Sequence, residues 1–160
     1  VRLTGFPITS TLQGLGAYPG DDSQFIGMLG MHGTYEANMA MNECDLMINI
    51  GARFDDRITG KIDDFSPNSK KIHIDIDPSS INKIVKVDVP LIGDVAHVLE
   101  DSIKLWKSKV YKINKTPLKE WWKTIDKWKE KDSLKFASDK NTIKPQYAIQ
   151  RLYELSLIHI

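Results

Sequence analysis

Five residues, Leu46-Met47-Ile48-Asn49-Ile50, run almost wholly apolar and then break into Gly51-Ala52-Arg53-Phe54-Asp55-Asp56-Arg57. A run too short for a helix, rich in apolar side chains and closed by glycine, reads as a buried strand that delivers a loop to the edge of a sheet. The loop it delivers is charged. Of the 22 basic residues only Arg2, Arg53, Arg57 and Arg151 are arginine, and two of these fall in this one loop. A guanidinium presents a rigid fork of donors that suits phosphate or carboxylate in a way a lysine point charge does not. The same residues equally suit a structural ion-pair cluster of Asp55, Asp56 and the two arginines, and the loop by itself leaves both readings open.

The rest of the chain changes character along its length. All ten glycines lie between Gly5 and Gly93, and all four tryptophans at Trp106, Trp121, Trp122 and Trp128. The first part therefore carries the tight turns, the second reads as helical and lysine-rich, and the boundary falls near Lys109 to Thr116. Phe6 to Thr9 reads as a short strand ending in Ser10-Thr11-Leu12, followed by a long loop from Gln13 to Leu29. That loop leads to Gly30-Met31-His32-Gly33 and a helix whose Ala37, Ala40, Met41 and Cys44 share one face. Further strands are expected at Lys71 to Asp77, stopped by Pro78, and at Val87 to Ile92. Asp94 can cap a helix in which Val95, Val98, Leu99, Ile103 and Trp106 keep helical spacing. Strands alternating with helices imply a parallel, doubly wound sheet.

Thr116-Pro117 reads as the opening of another helix, with a capping hydroxyl and proline at the first position. Its stripe of Leu118, Trp121, Trp122, Ile125 and Trp128 is the pattern of a core or domain interface. Ser133 to Thr142 is polar and reads as a linker, after which Lys144-Pro145 starts a short helix with Ala148, Leu152 and Leu155 on one side. A formal net charge of +1 gives no support for nucleic acid or a membrane surface as the main partner. No apolar run approaches membrane-spanning length and no signal peptide is seen. The single Cys44 excludes an internal disulfide and offers no zinc cluster, which suits a reducing cytosol.

In an open α/β sheet, ligands bind beyond the carboxyl ends of the strands. Four such ends carry polar or glycine signals here: Thr11-Leu12, Gly51 to Asp55, Asp75-Ile76 and Gly93-Asp94-Val95. The Gly30 to Gly33 turn is expected at a helix N-terminus, where free N–H groups and the dipole favour an anion. Together these describe a nucleotide-shaped slot, with pyrophosphate near the turn and Arg53, and ribose or adenine near Asp75 and Asp94. The competing reading is that each Asp only caps a helix or turn. No GxGxxG motif is present. His32 could touch a ligand or be structural in a turn; His73 lies within a strand and reads as core, and His97 and His159 carry no pattern. No His or Cys pair has metal-ligand spacing.

Four stretches, Thr11-Leu12-Gln13-Gly14-Leu15-Gly16, Met28-Leu29-Gly30-Met31-His32-Gly33, Gly51 to Gly60 and His73-Ile74-Asp75-Ile76-Asp77, closely resemble the catalytic subunits of the acetolactate (acetohydroxyacid) synthase family. The likeness runs from about Leu3 to Leu155. It implies an α/β fold with a Rossmann-like, doubly wound parallel sheet, incomplete at its N-terminus, in a central FAD-binding domain over 1–109. A helical linker over 110–143 and the first helix of a thiamine-diphosphate domain over 144–155 would follow, with 156–160 a non-native tail. Family enzymes condense two 2-keto acids, with loss of carbon dioxide, on thiamine diphosphate and Mg²⁺, and hold FAD without net redox change. Carried over by motif, the FAD contacts are Thr11, Leu12, Leu29, Gly30, Met31, His32, Gly51, Ala52, Arg53, Phe54, Asp55, Asp75, Ile76, Asp94 and Val95. Met31, Asp56 and Arg57 match positions near the substrate channel, where sulfonylurea-type inhibitors lodge.

The resemblance further implies homodimers or homotetramers, a small regulatory subunit, and a bacterial cytoplasmic, plastid or mitochondrial setting. No catalytic or metal-binding residue of the family falls in this chain: its thiamine-activating Glu and its Gly-Asp-Gly metal motif belong to other domains. The isolated chain is therefore expected to have no synthase activity. Two alternatives keep the nucleotide slot: the middle domain of another thiamine-dependent enzyme, such as a glyoxylate carboligase or keto-acid decarboxylase, or a free-standing nucleotide-binding module.

Overall fold

The computed structural model describes residues 1–109, 114–137 and 141–156. The expected boundary at 110–113, part of the polar stretch at 138–140, and the tail beyond Ser156 with its His159 lie outside the described residues. In chain order the elements are β1 (Ile8–Ser10), β2 (Phe25–Met28), α1 (Tyr35–Glu43), β3 (Leu46–Ile50), α2 (Asp56–Thr59), β4 (Lys70–Asp75), β5 (Val89–Ile92), α3 (Val95–Ser108), α4 (Lys115–Lys129) and α5 (Pro145–Leu155). All strand pairing is parallel, as the alternation of strands and helices implies. The expected single sheet is split in two, β1-β2 and β3-β4-β5.

β2 overturns the long loop expected from Gln13 to Leu29. It is four residues long and contains Gly27, so it offers neither the length nor the unbroken apolar run that marks a strand. Its ladder with β1 supplies what propensity does not, pairing Ile8 with Phe25 and Ser10 with Met28. The helix expected after the Gly30–Gly33 turn starts directly behind it. Thr34, not the Gly30–Gly33 turn, caps α1, its hydroxyl accepting from the Ala37 N–H at 3.3 Å while donating to the Ile26 carbonyl at 2.8 Å. One hydroxyl thus ties helix to strand. α4 begins before its expected cap: the Asn114 side chain accepts from the Thr116 N–H at 3.1 Å, leaving Thr116 and Pro117 inside the helix.

Two apolar clusters hold the layers together. In the first, Ile26 of β2, Ala37 and Ala40 of α1 and Ile125 of α4 are buried, with Leu29, Trp121, Trp122 and Trp128 packed around them. The tryptophan stripe is therefore core: small alanines let α1 lie close, and the indoles close over the gap. The Trp122 indole N–H also donates to the Gly5 carbonyl at 2.9 Å, anchoring the N-terminal stretch to α4. In the second cluster Phe54, Phe65 and Val85 are buried beside Met41, Met47, Ile58 and Val87.

β3 is not the buried strand its composition suggests. Its side chains alternate, and Leu46, Ile48 and Ile50 are 39%, 45% and 43% exposed. Val89 and Leu91, in register with Ile72 and Ile74, extend the same face. β1 and β3 each end a sheet and leave one row of backbone groups unpaired. An apolar face beside open edges templates self-pairing. We expect the 160-residue chain to self-associate with rising concentration, measured by sedimentation velocity; a monodisperse monomer across the range would contradict this.

Candidate functional site

Backbone hydrogen bonds link the carboxyl ends of the strands one to the next. The Leu29 N–H after β2 donates to the Ser10 carbonyl at the end of β1, at 3.3 Å. The Met31 N–H then donates to the Arg57 carbonyl in α2 at 3.0 Å, crossing from one sheet to the other. The Gly51 N–H after β3 donates to the Ile74 carbonyl of β4 at 2.8 Å, and the Gly93 N–H after β5 to the Asp75 carbonyl at 3.0 Å. Every loop singled out by its residue types is thereby drawn to one edge of the molecule. The turn that makes the crossing requires glycine at position 30, where φ is +97° and a Cβ would come within 3.0 Å of the Arg57 carbonyl oxygen.

The Gly30–Gly33 turn does not offer the anion cradle expected of it. Asn38 of α1 takes both polar groups of Gly30, accepting from its N–H at 2.7 Å and donating to its carbonyl at 3.0 Å. The Met31 amide is spent on Arg57 and the Gly33 amide on the Gly30 carbonyl. Among the described residues only the His32 amide of this turn lacks a protein acceptor, and the His32 side chain is exposed.

The free donors lie instead in the loop after β3. Gly51 and Phe54 have positive φ, at 65° and 54°, and among the described residues no protein acceptor takes the N–H groups of Ala52, Arg53 or Phe54. Consecutive free amides in such a bent segment form a concavity for an anion, and the exposed Arg53 guanidinium stands beside them, 3.2 Å from Asp55. Phe54 itself is buried, its ring edge-on to Phe65 and to His73. A side chain so placed anchors the loop, so Phe54 meets a ligand only through its backbone. Leu29, packed into the first core cluster, is in the same position. Leu12 and Ile76, by contrast, are each 68% exposed.

The carboxylates cap helices and turns, as the competing reading has it, and Asp75 and Asp94 do so through one oxygen each. Asp94 caps α3, one oxygen accepting from the Ala96 and His97 amides at 2.9 and 3.3 Å, just ahead of Val95. Asp75 turns one oxygen to the Asp77 amide at 2.9 Å. Asp55 accepts from the Arg57 amide at 3.1 Å and pairs with Arg53 through its other oxygen. Hydrogen bonds from Asp56 and from the Arg57 amide hold the Asp55 carboxyl below its usual range. Thr11, capping the turn at Leu12–Gly14, accepts from the Gly14 amide at 3.1 Å. Met31, Asp56 and Arg57 are exposed together at the crossing of the two sheets.

Two residues of this edge escape sequence reasoning: Asn38 and Asn49. Asn49, the sole polar residue of its apolar run, donates to the Ala52 carbonyl at 2.6 Å and so shapes the loop; that isolation is the signal that could have found it. His73 is fully buried in β4, as its strand position suggests. Burial pushes its pKa below the ordinary value, against the opposing pull of Asp75 and the Ala52 backbone. The folded state therefore keeps His73 neutral where the unfolded chain, with an ordinary value of about 6.5, takes a proton. Its contribution to stability is complete above that pH and is lost as pH falls below it. Urea midpoints measured from pH 7.5 to 5 are expected to decline over this range, and His73→Phe to flatten the decline; an unchanged slope in the variant would exclude His73 as the cause. The carboxylates held low, Asp22, Asp55, Asp77 and Asp88, act only in more acidic solution.

A shallow groove on α4, lined by Glu120, Lys123, Thr124, Lys127, Trp128 and Lys131, contains no residue of a strand end. Among the described residues no group of His, Cys, Asp and Glu could hold a metal ion, and no helix is long and apolar enough to cross a membrane. A family model described as the central domain of thiamine pyrophosphate enzymes matches residues 1–101. The acetolactate synthase large subunit of Haemophilus influenzae is 50% identical over 150 residues, 94% of this chain and 26% of that protein. The isozyme 3 large subunit of Escherichia coli is 41% identical over 98% of this chain and 27% of its own length, and the chloroplastic acetolactate synthase 1 of Zea mays 42% identical over 98% and 24%. The chain thus spans about a quarter of the length of these curated relatives.

Proposed function

This chain belongs to the family of thiamine pyrophosphate enzyme central domains, and from that membership we propose that it is the flavin-binding stretch of an acetolactate synthase large subunit. The observation that carries the reading is the series of backbone hydrogen bonds that links the four strand ends, above all Met31 to Arg57 across the two sheets. The donor set suits FAD. Arg53 and the free amides of Ala52 to Phe54 would take the pyrophosphate. The second carboxylate oxygens of Asp75 and Asp94 would accept from sugar hydroxyls, with Thr11, Leu12, the Leu29 to His32 backbone, Gly51, Asp55, Ile76 and Val95 completing the contact. FAD supplies a bound scaffold here, with no net electron transfer.

In this proposal Met31, Asp56 and Arg57 border the approach to a reacting centre built by other domains. The whole protein would join two pyruvates, or pyruvate and 2-ketobutyrate, with loss of carbon dioxide, on thiamine diphosphate and Mg²⁺, toward valine, leucine and isoleucine. Residues 1–109 would form the flavin domain, 110–143 the linker and 144–155 the start of the thiamine-diphosphate domain. Relatives named large subunits support a small regulatory partner, and one named chloroplastic supports an organelle as a setting; a homodimer or homotetramer, in a bacterial cytoplasm or an organelle, completes the proposal.

Flavin titration tests the reading. FAD fluorescence is expected to quench on the wild-type chain, and Arg53→Ala to weaken binding about tenfold or more, the usual weight of a charge-assisted hydrogen bond. Lys123→Ala, on the α4 groove, serves as the control and should leave binding unchanged. Absence of flavin binding, or equal loss in both variants, overturns the proposal.

A further inference from the structure

We propose that His73 is a positioning residue of this crevice, its imidazole setting the spacing between Phe54 of one ligand-bearing loop and the Asp75 carboxylate of the other. The ligand side of the inference rests on the flavin reading; the positioning of the two loops does not. His73 is 0% exposed, and neither of its ring nitrogens has a hydrogen-bond partner among the described residues. A buried imidazole left unpaired carries a desolvation cost that no hydrogen bond offsets, so packing alone does not account for a histidine where a phenylalanine would fill the same slot. The ring stands 5.1 Å from Phe54, edge-on, and its Nε2 lies 3.7 Å from Asp75 Oδ2.

A neutral imidazole has one N–H to give, and the Asp75 carboxylate is the acceptor beside it. Closing 3.7 Å to a hydrogen bond of about 2.8 Å takes a carboxylate shift of about 1 Å, the motion a hydroxyl-bearing ligand would produce by engaging Asp75. His73 would then donate to Asp75, while Phe54, packed against the same ring, keeps the Gly51–Asp55 loop in place. The ring so couples the two loops through direct contact.

Amide hydrogen exchange in the full chain, read at Gly51, whose N–H is held by the Ile74 carbonyl, and at Asp77, whose N–H is held by Asp75, tests the coupling. His73→Phe keeps the ring and removes the donor; it is expected to speed exchange at both places at least tenfold, to weaken FAD binding by a similar factor, and to leave the melting temperature at neutral pH equal or higher. His73→Gln restores a donor and should return both readouts to within threefold of wild type. If His73→Phe fails to fold, His73→Leu carries the same expectations. Unchanged exchange in the variant without a donor, or a Gln variant as impaired as Phe, overturns the proposal. If the wild-type chain takes up no FAD while the exchange pattern appears as expected, the flavin reading falls and the positioning role stands.

Discussion

Gly33→Ala is expected to lower stability by about 3 kcal/mol or more and to abolish flavin binding in the same variant. A Cβ at this position would sit 2.3 Å from the Met28 carbonyl oxygen and 2.7 Å from two backbone atoms of Leu29. These are main-chain atoms of a turn pinned on both sides, by Asn38 at Gly30 and by the Thr34 cap at α1. Overpacking against flexible side chains typically costs about 1–3 kcal/mol; backbone held this way has no such relief. The turn also carries Met31 across to Arg57, so its displacement separates the two sheets' strand ends. Denaturant midpoints and FAD titration together check this. A variant with wild-type stability would show that the close approach at Gly33 relaxes freely.

Ile125→Ala is expected to cost about 3–4 kcal/mol, within the range for emptying a fully buried aliphatic site. Ile125 is 0% exposed and meets Ile26, Ala37 and Ala40, which belong to β2 and α1. The loss should appear as a single shifted unfolding transition followed both by tryptophan fluorescence and by far-ultraviolet circular dichroism, because α4 shares a core with the first sheet. Two separated transitions, with only the tryptophan signal displaced, would show α4 to be an independent unit.

These two positions mark how far the residues alone could be read. Ile125 sits in a stripe of four-residue spacing, and that period already says which side of the helix is apolar. The exact approach of Gly33 to Met28 had no counterpart in the residue pattern, since a glycine in a turn can serve positive φ, close contact or neither. The same holds at the crevice. The Asp94 cap and the Arg53–Asp55 pair are legible because a carboxylate or guanidinium at a strand end has few tasks. Phe54 was assigned to the ligand by motif, yet its ring is buried against Phe65 and His73. The free amides expected at Gly30–Gly33 lie instead at Ala52–Phe54 for a similar reason. Whether an amide is free depends on its acceptor, and Asn38 and Arg57 are distant enough in sequence to give no local sign.

What the sequence by itself determined are the features with a local cause: the apolar periods of α1, α3 and α4, the Asp94 cap, the strand at Leu46–Ile50, the presence of a strand in Lys71 to Asp77 (which the structure ends at Asp75), and the parallel α/β class. Only the tertiary structure decided that Phe25–Met28 is a strand, that the strands form two sheets, that the Ile48 face of β3 stands open, and that the free donors gather beside Arg53. The physical reason is common to all four. A helix period or a cap is satisfied within a few residues, whereas pairing, burial and the fate of an amide depend on groups brought together across the chain.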